Sequence, residues 1–184
     1  MRKTALVVLA DGFEEIEAVT PIDVLRRAGM EVIVAGVGQR EVTGAHGITV
    51  ETDLMLEQYQ GHPDAVILPG GMPGALNLKK SQSLEVLLEK MQKEKKLIAA
   101  ICASPAVVLA PIGILDGKRA TCYPGFEGQL GPRVKFVSER VVVDGCVVTS
   151  RGPGTAMEFA LELVSQLAGP EAVEKLSQSM VVNN

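Results

Sequence analysis

Cys102 ends the run Leu97-Ile98-Ala99-Ala100-Ile101, and Ala103, Ser104 and Pro105 follow it. Such an apolar run reads as a strand buried on both faces, and small residues with a proline read as the opening of a helix. A side chain at that junction is thrust out of the sheet on a sharp backbone, the geometry of a nucleophile elbow. Helix amides beyond the turn favour negative charge, so the thiol is expected to titrate below the roughly 8.5 of a free cysteine. The bland alternative is a structural cysteine packed in the core.

Other groups that could serve a thiolate follow other apolar runs. Glu14, Glu15 and Glu17 come just after Ala5–Ala10, Gly70-Gly71 just after Ala65–Leu68, and Tyr123 just after Arg119–Cys122. One parallel sheet would carry all these strand ends to a single rim, where ligands of open α/β sheets bind. There Cys102 would attack carbonyl carbon or peroxide. Backbone N–H groups at Gly70, Gly71 and Ala103 would approach a developing oxyanion. One glutamate would move a proton, provided an apolar pocket raises its pKa towards neutrality. At least one of the other glutamates is a solvated first-turn carboxylate. The two histidines offer little: His46 lies in a weakly patterned ribbon, and His62 precedes Pro63 at the wrong end of the sheet. Tyr123 is a hydrogen-bond donor first. Cys122 and Cys146 read as packing residues.

The elements that must position these groups alternate. Strands are expected at Ala5–Ala10, Glu31–Ala35, Asp64–Leu68 and Leu97–Ile101, with a small ribbon over Val42–Leu54. Helices are expected at Glu14–Arg27 (kinked at Pro21), Ser81–Lys95, Ser104–Pro111, from Arg151 through Ala168, and Glu171–Gln178. Short strands at Arg119–Cys122 and Val134–Val137 precede a hairpin of Val141–Val143 and Val147–Ser150, joined by Asp144-Gly145. This order argues for an α/β, doubly wound, mostly parallel sheet sandwiched by helices. No repeat or linker divides residues 1–184, so a single domain is the expectation.

Composition narrows the class further. Apolar residues at 47% and charged residues at 22% suit a soluble globular protein. The net charge of −4 and the lack of any basic cluster beyond Lys93–Lys96 give no nucleic-acid surface. Three separated cysteines form neither a disulfide framework nor a zinc site, and fit a reducing, cytoplasmic setting. The start is too short in apolar residues for a signal peptide, and no window approaches a membrane span. No phosphate-binding glycine loop follows the first strand, which leaves flavin or nucleotide binding unsupported.

Four ordered motifs carry a resemblance over nearly the whole chain. They are Leu9–Glu17 (LADGFEEIE), Leu68–Gly71 (LPGG), Ala99–Ala103 (AAICA) and Thr149–Thr155 (TSRGPGT). Together they closely resemble the ThiJ/PfpI superfamily, in its DJ-one branch. The resemblance implies a flavodoxin-like fold, a homodimer, and an elbow cysteine oxidised readily to sulfinate beside a protonated glutamate, which matches Glu17. It places Arg26-Arg27 and Ser150–Thr155 near the site or dimer contact. It implies a cofactor-free, metal-free glyoxalase, a lyase of the D-lactate dehydratase type, acting through Cys102 with Glu17 as proton shuttle. Methylglyoxal and glyoxal would be substrates, and early glycation adducts would be substrates of a deglycase hydrolase. The alternative it implies is an oxidative-stress sensor or redox-regulated chaperone, with Cys102 sulfinate as the signal. Many relatives carry histidine where Tyr123 stands and some carry tyrosine, so the resemblance implies a substrate contact or proton donor at that position. The protease-like branch has histidine directly after the cysteine, and Ala103 in that place argues against a peptidase.

Overall fold

The computed structural model describes residues 2–182; Met1, Asn183 and Asn184 of the expected domain lie outside them. Strands β1 (Thr4–Leu9), β2 (Glu31–Gly36), β5 (Leu54–Met55), β6 (Ala65–Leu68), β7 (Leu97–Ile101), β10 (Val141–Asp144) and β11 (Val147–Ser150) form the main sheet. Its seven strands run in the order β10-β11-β7-β6-β1-β2-β5. All pairings are parallel except the β10–β11 hairpin. The central strands β1, β6 and β7 are buried almost throughout, because a parallel sheet is covered on both faces.

Helices α1 (Glu15–Arg27), α2 (Gly74–Lys79), α3 (Gln82–Lys93), α4 (Ala156–Ala168) and α5 (Pro170–Met180) provide that cover. No helix among the described residues is long and apolar enough to cross a membrane. The expected ribbon is the antiparallel pair β3 (Glu41–Thr43) and β4 (Thr49–Glu51). The strands at Arg119 and Lys135 also form, shortened to β8 (Arg119–Ala120) and β9 (Lys135–Phe136), paired in parallel outside the main sheet.

Helix α1 runs unbroken across Pro21; a proline there removes one donor, and tertiary packing of its buried ring offsets that loss. The helix α2 was not expected, since its six residues are too few to show a period. After Cys102 no regular α-helix forms. Residues Pro105–Leu109 wind more widely, with Ala110 N–H donating to the Pro105 carbonyl at 3.0 Å, the i→i+5 bond of a π turn.

The strand order reverses between β1 and β6, so the loops leaving those two strands open a crevice at one rim. Both candidate motifs, Asp11–Glu17 and Pro69–Gly71, sit there. The next strand, β7, delivers Cys102 to the same rim.

Candidate active site

Cys102 has a left-handed backbone, φ 66°, which a residue with a side chain adopts only when its surroundings hold it. Its N–H donates to the Ser150 carbonyl at 2.9 Å, and its carbonyl accepts from Tyr123 N–H at 2.8 Å. The β7 end is thus clamped between β11 and the segment after β8. Cys102 is 8% exposed, so the sulfur lies at the lip of the sheet, reachable but mostly dry.

Glu17 faces it. Glu14 caps α1, its Oε2 accepting from Glu17 N–H at 2.7 Å, and this turns the Glu17 side chain inward to 0% exposure. Glu17 Oε2 accepts from Gly70 N–H at 2.8 Å. Oε1 is buried with no hydrogen-bond partner. The carboxyl and the thiol influence each other's titration through a side-chain contact, yet no well-aligned bond joins Oε1 to sulfur at rest. Such an orphaned buried oxygen is costly unless it carries a proton or receives one.

Burial raises Glu17 to about 7, against the lowering effect of the Gly70 N–H. Burial, and next the Glu17 charge, push the Cys102 thiol up to about 12, against the Gly71 and Ala103 amides that favour the thiolate. The lowered thiol pKa expected from helix amides is therefore not found, because desolvation and a facing carboxylate outweigh dipoles from a short irregular turn. The two groups titrate as a pair. Above about pH 7 they hold one proton and one negative charge. Moving the proton from sulfur to Glu17 turns thiol and carboxylate into thiolate and acid without changing the total charge.

Of the backbone donors expected to form an oxyanion hole, Gly71 and Ala103 lie against the sulfur. Gly70 has a different task, since its single N–H is committed to Glu17. Why glycine stands there is a matter of space: a Cβ would sit 2.6 Å from Cys102 Cβ and 2.8 Å from Glu17 Oε2. Gly71 adopts φ 87°, and a Cβ on it would meet the Glu14 nitrogen at 2.5 Å.

Tyr123 lies at the rim, 43% exposed. Its ring stands over Gly152, whose Cβ, if present, would lie 3.1 Å from Tyr123 Cδ2 and 3.9 Å from Glu17 Oε1. Glu15, the remaining carboxylate of the motif, is not solvated: it accepts from His46 N–H at 2.7 Å and bonds His46 Nδ1 at 2.9 Å. Burial alone would raise its pKa, but the His46 and Ile48 bonds prevail and lower it. Sequence reasoning missed this strap between α1 and the β3–β4 turn, because nothing local links Glu15 to His46. Glu14, Glu15 and His46 place ligand atoms within 4.8 Å of one another, but the carboxylates already hold the α1 cap and the turn. His62 lies beside Lys90 at 3.5 Å, so neither histidine bonds Cys102.

The fold is shared with known proteins. The DJ-1/PfpI family model matches residues 3–166. The chain belongs to that family. Among relatives, it is 44% identical over 182 residues to Arabidopsis thaliana DJ-1 homolog B, covering 98% of this chain but 42% of that protein. The chain thus spans about half the length of some curated relatives it matches. It is 38% identical to Caenorhabditis elegans glutathione-independent glyoxalase DJR-1.2, covering 95% of this chain and 94% of that one. The structure of oxidized Toxoplasma gondii DJ-1 superposes with a TM-score of 0.95 at 41% identity, over 99% of this chain and 100% of that one. A DJ-1/PfpI fold of this kind is the mostly parallel, helix-sandwiched sheet expected from the alternating elements, and the flavodoxin-like fold that the resemblance implies.

Proposed function

We propose that this DJ-1/PfpI protein is a cofactor-independent glyoxalase, using Cys102 as nucleophile and Glu17 as proton shuttle. The observation that carries the reading is the wholly buried Glu17, one oxygen on Gly70 N–H and the other unpartnered, its carboxyl in side-chain contact with the elbow thiol. The glyoxalase named among its relatives supports the substrate class. Sulfur adds to the aldehyde carbon of an α-oxoaldehyde as Glu17 holds the thiol proton. The resulting hemithioacetal oxygen is stabilised by the Gly71 and Ala103 amides. Glu17 gives the held proton to the ketone oxygen and, as the carboxylate, carries a proton from the aldehyde carbon to the neighbouring carbon; the adduct oxygen becomes the carbonyl of a 2-hydroxy thioester, which water hydrolyses. Aldehyde carbon is oxidised as ketone carbon is reduced, so methylglyoxal plus water balances to lactate with no external redox partner. Tyr123 supplies a hydroxyl at the mouth. The same addition to early glycation adducts would be deglycase chemistry. Cys102→Ser and Glu17→Gln should each lower methylglyoxal consumption by purified protein by at least about a thousandfold; wild-type turnover by either variant would sink the mechanism.

A second role for the same thiol is redox sensing, including the redox-regulated chaperone reading. Two backbone amides beside the sulfur and an acid able to donate to a sulfinate favour oxidation at Cys102. Burial pushes the Cys122 thiol to about 11, and that residue is fully buried. After mild peroxide, mass spectrometry should find two added oxygens on Cys102 before Cys122 or Cys146. Even oxidation of all three would remove this role.

A homodimer is proposed from the exposed apolar side chains around the first motif. Ile16 and Val19 stand outward on α1 at 54% and 51% exposure, beside Ile48 at 57% and Met72 at 44%. Three free cysteines suit a reducing, cytoplasmic setting.

A further inference from the structure

We propose that the cavity beyond Tyr123 is an anion subsite, in which Arg151 holds a carboxylate or phosphate at the far end of an α-oxoaldehyde substrate. The proposal rests on the glyoxalase reading and names a substrate class for it. The cavity measures about 230 Å³ and is walled by Tyr123, Pro124, Arg140, Arg151 and the Gly152–Thr155 turn. It adjoins the reacting groups across Gly152, the residue that touches the Tyr123 ring on one side and approaches Glu17 Oε1 on the other. A substrate held at the sulfur can therefore extend over bare glycine backbone into this space. A molecule as small as methylglyoxal leaves it unfilled.

The two arginines in the wall differ in state. Arg140 is neutralised: its Nε donates to both Glu158 oxygens, at 3.0 and 2.7 Å, and its Nη2 to the Gly154 carbonyl at 2.7 Å. It fixes the turn. Arg151 donates to the uncharged Ser138 hydroxyl and makes no ion pair among the described residues. Glu127, whose charge also reaches Cys122, is turned to the Gly125 N–H at 2.7 Å. A guanidinium presents five donors in a rigid fork matched to carboxylate and phosphate. Arg151 thus stands with spare donors and no counter-charge on a cavity contiguous with the thiol. The balanced reaction is R–CO–CHO plus water giving R–CHOH–COO⁻ and a proton, with the anionic group carried on R and untouched.

The test compares kcat/KM for γ,δ-dioxovalerate and hydroxypyruvaldehyde phosphate with that for methylglyoxal. In Arg151→Gln the ratio of anionic to neutral substrate should fall on the order of tenfold, the loss of one charge-assisted contact, with Arg151→Lys in between. The tail showing the larger fall identifies carboxylate or phosphate as the natural group. An unchanged ratio for both tails overturns the subsite. So does an equal fall in Arg133→Gln, which removes the same charge from a distant Asp116 pair. Calorimetric titration with α-hydroxyglutarate reads binding apart from turnover. If no aldehyde is consumed, the glyoxalase reading fails, while binding weakened about tenfold in Arg151→Gln upholds the anion site. Equal binding by wild type and variant overturns it.

Discussion

At the scale of residues, the reactivity proposed for this site turns on one proton held between two buried groups. Neither Cys102 nor Glu17 is predisposed to ionise, since burial opposes charge on both. What favours reaction is that the total charge is the same whether the proton sits on sulfur or on carboxyl. Two consequences of the raised Glu17 pKa can be measured. The wild-type kcat/KM should rise as pH passes about 7, where the pair loses its first proton. Stability should move the other way. Folded Glu17 binds its proton more tightly than the ordinary value of 4.5 allows, so its contribution is complete below that pH and is lost as pH rises through the folded value. Denaturant midpoints should therefore shift in favour of Glu17→Gln across that interval and level off above it. A midpoint difference independent of pH would show that Glu17 titrates normally.

At the scale of elements, the site is a junction of loop ends held by backbone bonds. The Glu14 cap fixes the first turn of α1, the Gly70 N–H fixes the Glu17 carboxyl, and the β7 elbow fixes the sulfur. The β3–β4 turn is tied to the same motif by Glu15, His46 and a bond from Gly12 N–H to the Thr43 carbonyl at 2.8 Å. This close assembly has no room for a methyl group at position 70, where a Cβ would press on both Cys102 and Glu17. Gly70→Ala should retain the fold by circular dichroism at a cost of about 1–3 kcal/mol in stability. Its kcat/KM should fall roughly a hundredfold, because small displacements of reacting groups cost that much. Full activity in Gly70→Ala would show that the Glu17–Cys102 spacing is not critical.

At the scale of the molecule, the exposed apolar face beside the first motif is the feature a monomer leaves unused. Ile16 and Val19 are neighbours on one face of α1, and Ile48 joins them through the turn that Glu15 holds. Light scattering should give twice the chain mass of 19.5 kDa for wild type and the single mass for Val19→Asp. A wild-type monomer would exclude this interface. The architecture that carries the face was legible along the chain. Runs such as Ala5–Ala10 and Ala65–Leu68 are apolar without alternation, a local mark of strands covered on both sides. The Asp144-Gly145 hairpin and the Ser81 cap of α3 are equally local. Elements of two strand residues, such as β5, or of six helical ones, such as α2, fall below the length at which a period can be seen.

The site divides along the same line. Residue types and their places after apolar runs sufficed to nominate Cys102, the glutamates, the glycines and Tyr123, because strand ends in a parallel sheet converge. Several matters had to wait for the folded chain: that Gly70 binds the acid instead of an oxyanion, that Glu15 belongs to His46, that the thiol is pushed up instead of down, and that Arg151 lacks a counter-charge. Each depends on burial and on fields summed over atoms from segments far apart in sequence. Such sums exist only once the chain has closed on itself.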